Sequence, residues 1–92
     1  GRMLYMNILT WDPEKRDEVL KRAKQTGFKH EGIKVIGTWS DIDGGRAFQL
    51  TETPTDPKIG LKANFAWNDI MKIETVAVMD AEEMVKLLAS MK

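Results

Sequence analysis

The sequence predicts an α+β domain with elements in the order strand, helix, strand, strand, helix, strand, and one more helix at the end. Three observations predict it. Asp-Pro occurs at 12–13 and again at 56–57, each time between a strand-like stretch and a helix-like one, where Asp suits an N-cap and Pro the first turn. A glycine pair at 44–45 separates two short stretches of strand character, which is hairpin chemistry. Asp80 with Glu83 three places on resembles a capping box ahead of a final apolar stripe.

Residues 3–11 are rich in Leu, Ile, Tyr and Trp and read as the first strand. From residue 13 to about 26, Glu18 precedes Arg22 and Asp17 precedes Lys21 by four places, while Val19, Leu20 and Ala23 keep a narrow apolar stripe. That is a helix, closed by Gly27. Residues 28–32 connect it to a strand at 33–40, and the turn at 41–45 leads to a third strand at 46–53. Pro54 cannot extend a central strand, so the second helix is expected from 57 to about 67, ended by Asn68 and Asp69. Residues 70–79 read as the fourth strand, and Met84, Leu87, Leu88 and Met91 share one face of the last helix. This order is the ferredoxin-like βαββαβ arrangement with an extra C-terminal helix on a four-stranded antiparallel sheet, and right-handed crossovers put both main helices on one face.

Ninety-two residues hold one core and hence one domain, spanning 3–92, with Gly1 and Arg2 read as a cloning remnant ahead of Met3. Fourteen basic residues balance fourteen acidic ones, so the field that draws a basic chain to nucleic acid or anionic lipid is missing, and neither is expected as a partner. The third strand also lacks the basic-glycine-aromatic pattern of RNA-recognition domains. With no cysteine and a single histidine, the chain offers no disulfide or thiolate chemistry and no multi-histidine metal site, so no metal and no cofactor is expected. No apolar run approaches bilayer length and no secretory leader is visible, which makes the cytoplasm the expected location.

Hairpin parity sharpens the reading. An even-numbered loop puts Val35, Gly37 and Trp39 on one face with Phe48 and Leu50, and Ile36, Thr38 and Ser40 on the other with Ala47, Gln49 and Thr51. The first strand divides into Leu4, Met6 and Ile8 against Tyr5, Asn7, Leu9 and Trp11. Ile73 and Ala77 are assigned to the oily set, and Glu74, Val76 and Val78 to the mixed one. The helices are expected on the oily side, leaving the mixed face to be covered by a second copy across a two-fold axis. Between the paired sheets, or in a cleft beside the helices, Tyr5, Asn7, Trp11, Thr38, Gln49, Thr51 and Glu74 are the candidate ligand-binding residues.

Gly37-Thr38-Trp39-Ser40-Asp41, then Gly44-Gly45-Arg46-Ala47-Phe48 with Glu52, and Trp67-Asn68-Asp69-Ile70, resemble a family of short prokaryotic domains of unknown function. His30-Glu31 stands where that family often has proline before the glycine. The family in turn resembles the dimeric α+β barrel superfamily of cofactor-free oxygenases, haem-degrading enzymes, isomerases and effector-binding modules. The resemblance implies paired sheets, but it carries no reaction and no catalytic residues.

His30, in the charged stretch Lys29-His30-Glu31, reads as an exposed loop histidine, Trp39 and Trp67 as core, and Asp41 with Arg46 as a surface ion pair across the turn. The leading expectation is a homodimeric module that binds a small, partly apolar molecule. A cofactor-free oxygenase or isomerase, with Glu74 or His30 as base and Asn7 or Gln49 steadying an enolate-like charge, is the second reading. A structural dimerisation domain with a filled interior is the third.

Overall fold

The computed structural model describes residues 2–92. The chain runs β1 (Arg2–Thr10), a 3-10 turn (Pro13–Lys15), α1 (Arg16–Thr26), β2 (Lys34–Ser40), β3 (Arg46–Pro54), α2 (Pro57–Phe65), β4 (Lys72–Ala77) and α3 (Ala81–Ser90). The strands form one antiparallel sheet in the order β2-β3-β1-β4, the ferredoxin-like topology with one helix appended. No helix among the described residues is long and apolar enough to cross a membrane. Gly1 lies outside the described residues, and Arg2 opens β1: it pairs with Pro54, and its Nε donates to Glu52 at 3.0 Å.

The element ends follow the turn chemistry. Gly27 closes α1 in the left-handed conformation (φ 63°), and the Asp56 carboxylate accepts from the Lys58 amide at 3.0 Å to open α2. Asp80 accepts from the amides of Glu82 and Glu83, at 2.9 and 3.2 Å, to open α3. Residues 70 and 71, expected in the fourth strand, instead fold back: both amides donate to the Trp67 carbonyl, at 3.1 and 3.2 Å, and both side chains enter the core.

In the hairpin, the Asp41 amide donates to the Arg46 carbonyl at 2.8 Å, and the even loop pairs Ser40 with Ala47, Trp39 with Phe48 and Gly37 with Leu50 as expected. A bulge between Val35 and Gly37 then inserts Ile36 as an extra residue and sets Val35 opposite Thr51, reversing its expected face. Strand β4 differs too. It sets Ile73 opposite Leu9 and Ala77 opposite Tyr5, so these two side chains belong to the mixed face and Glu74 and Val76 to the oily one.

The largest correction concerns the helices. They cover the mixed face: Tyr5, Asn7, Leu9, Thr38, Gln49 and Thr51 lie beneath Val19 and Ala23 of α1 and Gly60 and Ala63 of α2. Leu4, Met6, Ile8, Phe48, Leu50 and Val76 therefore form an open face, and with them Trp39, which is 54% exposed rather than core. The buried core is small, consisting of Val19, Ala23, Trp67, Ile70 and Met71 with Leu9, Trp11 and Ile73 packed against it.

Two apolar surfaces thus stay in water, the open sheet face and α3, every residue of which is exposed. The chain exposes 7017 Å², about 1,600 Å² more than the roughly 5,400 Å² that surface-to-mass scaling gives a compact monomer of this size. Its radius of gyration is 15.0 Å against about 12 Å for a compact chain of this length, and its extents are 51 × 29 × 18 Å.

Candidate ligand-binding cavity

The helices stand off the sheet because the residues between them are small. Ala23, Gly60 and Ala63 face a sheet floor of mid-sized polar side chains, and the gap they leave is a cavity of about 380 Å³. That volume lies within the range of small-molecule sites. Phe28, His30 and Ile33 of the α1–β2 connection form one wall, and Trp11 and Trp67 supply flat aromatic surface.

The floor is a hydrogen-bonded lattice. Asn7 Nδ2 donates to the Gln49 carbonyl at 3.1 Å and to Thr51 Oγ1 at 2.8 Å, and Asn7 Oδ1 accepts from Thr75 Oγ1 at 2.9 Å. Gln49 Nε2 donates to Thr38 Oγ1 at 3.2 Å and reaches the Phe28 carbonyl at 3.5 Å. Gln49 and Thr51 are buried at 7% and 4% exposure, so these bonds hold their rotamers against water. Side chains on β1, β2, β3 and β4 are thereby joined into one polar platform. No partner is found among the described residues for Gln49 Oε1 or the Tyr5 hydroxyl, which leaves an acceptor and a donor-acceptor at the cavity.

The walls are held by backbone geometry. Gly32 has φ 80°, and a Cβ there would stand 3.2 Å from Ile59 Cδ1, so glycine lets the connection pass close to α2. Phe28 has φ 62°, a left-handed conformation uncommon for a bulky residue, and it is held there at the cavity edge beneath the Gln49 bond. Arg22 ties the roof together. Its guanidinium donates to both Asp69 oxygens at 2.7 and 3.0 Å and to the Ala66 carbonyl at 2.9 Å, and it lies 5.9 Å from the Trp67 ring centroid. The Arg22 bond holds the Asp69 carboxyl below its ordinary range.

Six of the seven expected site residues, Tyr5, Asn7, Trp11, Thr38, Gln49 and Thr51, line this cavity. They do so beneath the helices of their own chain. Glu74 is not among them: it stands opposite Ile8, on the far side of the sheet. His30, expected as an exposed loop histidine and weighed only as a base in the second reading, lines the cavity as well. The Ile33 amide, three residues on, donates to the His30 carbonyl at 3.2 Å, folding the connection inward. The imidazole is then half-buried at the cavity, edge-on to Trp67 at 6.5 Å, and loss of water lowers its pKa below the usual 6.5. The glycine two residues on, in an otherwise charged stretch, is the one signal that marks this turn.

Among lining side chains of the described residues, Asp56 alone carries a full charge, and no Lys or Arg is present. Among the described lining side chains there is thus no fixed positive charge to offset an anion.

A sequence profile for a domain of unknown function matches residues 3–92. The chain belongs to the DUF3303 family. No curated protein matches the sequence. The chain is similar to the solved structure of 30S ribosomal protein S6 from Thermotoga maritima, at 13% identity and a TM-score of 0.47, covering 97% of this chain and 99% of that one.

In this DUF3303 domain the residues behind the resemblance have clear structural work. A Cβ at Gly37 would stand 2.5 Å from Trp39 Cη2, so the glycine is the bed on which the Trp39 indole lies flat. Asp41 and Arg46 form the expected ion pair at 3.1 Å, and the Arg46 guanidinium sits 5.2 Å from the Phe48 ring centroid. The Asp41 carboxyl is held below its ordinary range first by the Asp43 amide and then by Arg46. Trp67 is core, as expected, and Asp69 anchors Arg22 above it.

Proposed function

We propose that this domain binds a small, uncharged, partly apolar molecule in the cavity between its helices and its sheet, and that it works as a homodimer joined through the open sheet face. The observation that carries the first half is the cavity itself. Its floor is a satisfied polar lattice with unpaired oxygens on Gln49 and Tyr5, while its walls are aromatic. A flat molecule with one or two polar groups fits such a lining, and an anion would be desolvated there without a cation to meet it. The second half rests on the surface excess and on the greasier sheet face standing uncovered.

2-Naphthol, neutral and flat, is a suitable probe, with 2-naphthoate as its anionic counterpart. In a Trp39→Phe background the remaining Trp11 and Trp67 both line the cavity, so their fluorescence reports occupancy. 2-Naphthol is expected to quench them saturably and to bind at least about tenfold tighter than 2-naphthoate. Ala63→Leu fills the roof and is expected to weaken that binding by about tenfold or more while the far-ultraviolet circular dichroism stays unchanged. Quenching by 2-naphthol that is the same in both variants would remove the cavity as the site.

A further inference from the structure

We infer that α3 is an exchanged arm: in the homodimer it packs not on its own sheet but against the open sheet face of the second copy, and receives the partner's α3 in return. This rests on the homodimer reading above and adds to it the element that completes the interface.

Two bare apolar surfaces occur on one chain. On α3, Met84, Leu87, Leu88 and Met91 line up on one side, each between 48% and 71% exposed. On the sheet, Trp39 lies flat and half-exposed over Gly37, beside Phe48 and Leu50. Within one chain these surfaces are kept apart. The Val78 amide still donates to the Leu4 carbonyl at 2.9 Å, so the chain stays in the plane of the sheet until two residues before the Asp80 cap. That cap, bonded to two amides of the first turn, sets the direction in which α3 leaves, and the 51 Å long axis is consistent with an arm that projects from the body. Folding α3 back on its own sheet needs the whole reversal to be made at Met79 and Asp80. A two-fold pair needs no such reversal, since each arm meets the other copy's sheet and the contact is self-complementary.

The areas point the same way. Four strands at about 4.8 Å spacing and about six residues at 3.3 Å rise give the open sheet face a planar footprint of about 380 Å². That is roughly half of the 800 Å² that each partner of a stable complex contributes. A ten-residue helix adds a strip of about 150 Å² on the arm, and the footprint it lands on is already counted, so each copy reaches about 530 Å² of planar area, about two-thirds of that share instead of half. The surface excess of about 1,600 Å² over a compact monomer is ample to supply it.

Sedimentation equilibrium on the full chain and on the Met84→Asp/Leu88→Asp variant tests the contribution of the arm. Both substituted positions are exposed, so the monomer fold, followed by circular dichroism, is expected to persist. The full chain is expected to be a dimer, and the variant to dissociate at least about 100-fold more readily. Mixed dimers of chains carrying 13C-methyl methionine with unlabelled chains then report where the arm lies. Isotope-filtered nuclear Overhauser effects are expected from the Met84 and Met91 methyls to the partner's Trp39 or the partner's Phe48. A full chain that is monomeric at 100 µM would overturn the homodimer reading and this inference with it. A dimer whose dissociation is unchanged by the two aspartates, or whose methionine contacts stay within the labelled chain or are missing, would overturn the exchange alone.

Discussion

Thr51→Val removes one hydroxyl and replaces it with a methyl of nearly equal volume at a position only 4% exposed. The hydroxyl oxygen accepts from Asn7 Nδ2 at 2.8 Å, and the same amide nitrogen also donates to the Gln49 carbonyl at 3.1 Å. Deleting the hydroxyl therefore leaves Asn7 Nδ2 with one partner, and the expected loss is about 1 kcal/mol. Asn7→Ala removes the bonds to the Gln49 carbonyl, to Thr51 and from Thr75 together. Water entering the cavity takes over part of that hydrogen bonding, so the expected loss is about 2 kcal/mol. If the two side chains are bonded, the double variant falls short of the sum by about 1 kcal/mol, because the Asn7–Thr51 bond is lost only once. For a domain of this size that shortfall corresponds to about 4–8 °C in the thermal midpoint. Urea unfolding followed by circular dichroism, at one fixed protein concentration so that association does not enter the comparison, measures all four corners. Additivity within about 0.3 kcal/mol would mean that the two side chains do not interact, and the polar platform would lose its central link.

Gly37→Ala forces the Trp39 indole off its bed, since the added Cβ would stand 2.5 Å from Cη2 and 2.9 Å from Cζ2. Losing part of that contact costs about 1–2 kcal/mol, offset by about 0.5–1 kcal/mol from the stiffer unfolded chain, for a net loss near 1 kcal/mol in urea unfolding. In a Trp39→Ala background the same change is expected to be neutral or mildly stabilising, and an equal loss in both backgrounds would discredit the contact. His30 gives a pH signature. Burial holds its folded pKa below the 6.5 of the unfolded chain, so the unfolded state takes up the proton first as pH falls. Stability is then highest above about pH 6.5 and declines from there down to the folded pKa, whereas His30→Gln is expected to lack that slope between pH 7 and 5. Urea midpoints across that range measure it, and parallel curves for the two proteins would show His30 to be freely solvated.

Much of the fold was legible because local chemistry marks its joints. Asp56 and Asp80 cap helices through their carboxylates, Gly27 closes α1, and the even loop at 42–45 sets the partners of Thr38 and Trp39. The site residues were legible for a related reason: alternation puts Tyr5 with Asn7, and pairing puts Asn7 with Gln49, whichever side the helices choose. What alternation does not contain is that choice. The rule that a monomer hides its greasiest face favours Leu4, Met6, Ile8, Phe48 and Leu50, and this chain turns them outward. Nor does any tight turn fix β4 against β1, since a helix separates β3 from β4, so a one-residue error in phase moved Ile73 and Glu74 to each other's faces. The extra Ile36 flips Val35, and Gly37 directly after it, an isolated glycine inside a strand, is the signal of the bulge that strict alternation passes over.

The outward choice follows from what the helices can cover. A tightly packed roof over Leu4, Met6 and Ile8 would call for large apolar side chains facing the sheet, yet α1 and α2 offer Ala23, Gly60 and Ala63 there, while Leu61 and Phe65 are exposed. Small residues over an oily sheet would leave a dry void, which forfeits contacts and costs stability in proportion to its volume. Over Asn7, Thr38, Gln49 and Thr51 the same gap is a different object. The polar floor satisfies much of its hydrogen bonding with side-chain bonds and tolerates water, so the space persists at little cost. The composition of the helix faces thus makes the mixed face the one that can be covered loosely. It leaves the oily face uncovered by α1 and α2, whose facing side chains are too small to pack it tightly.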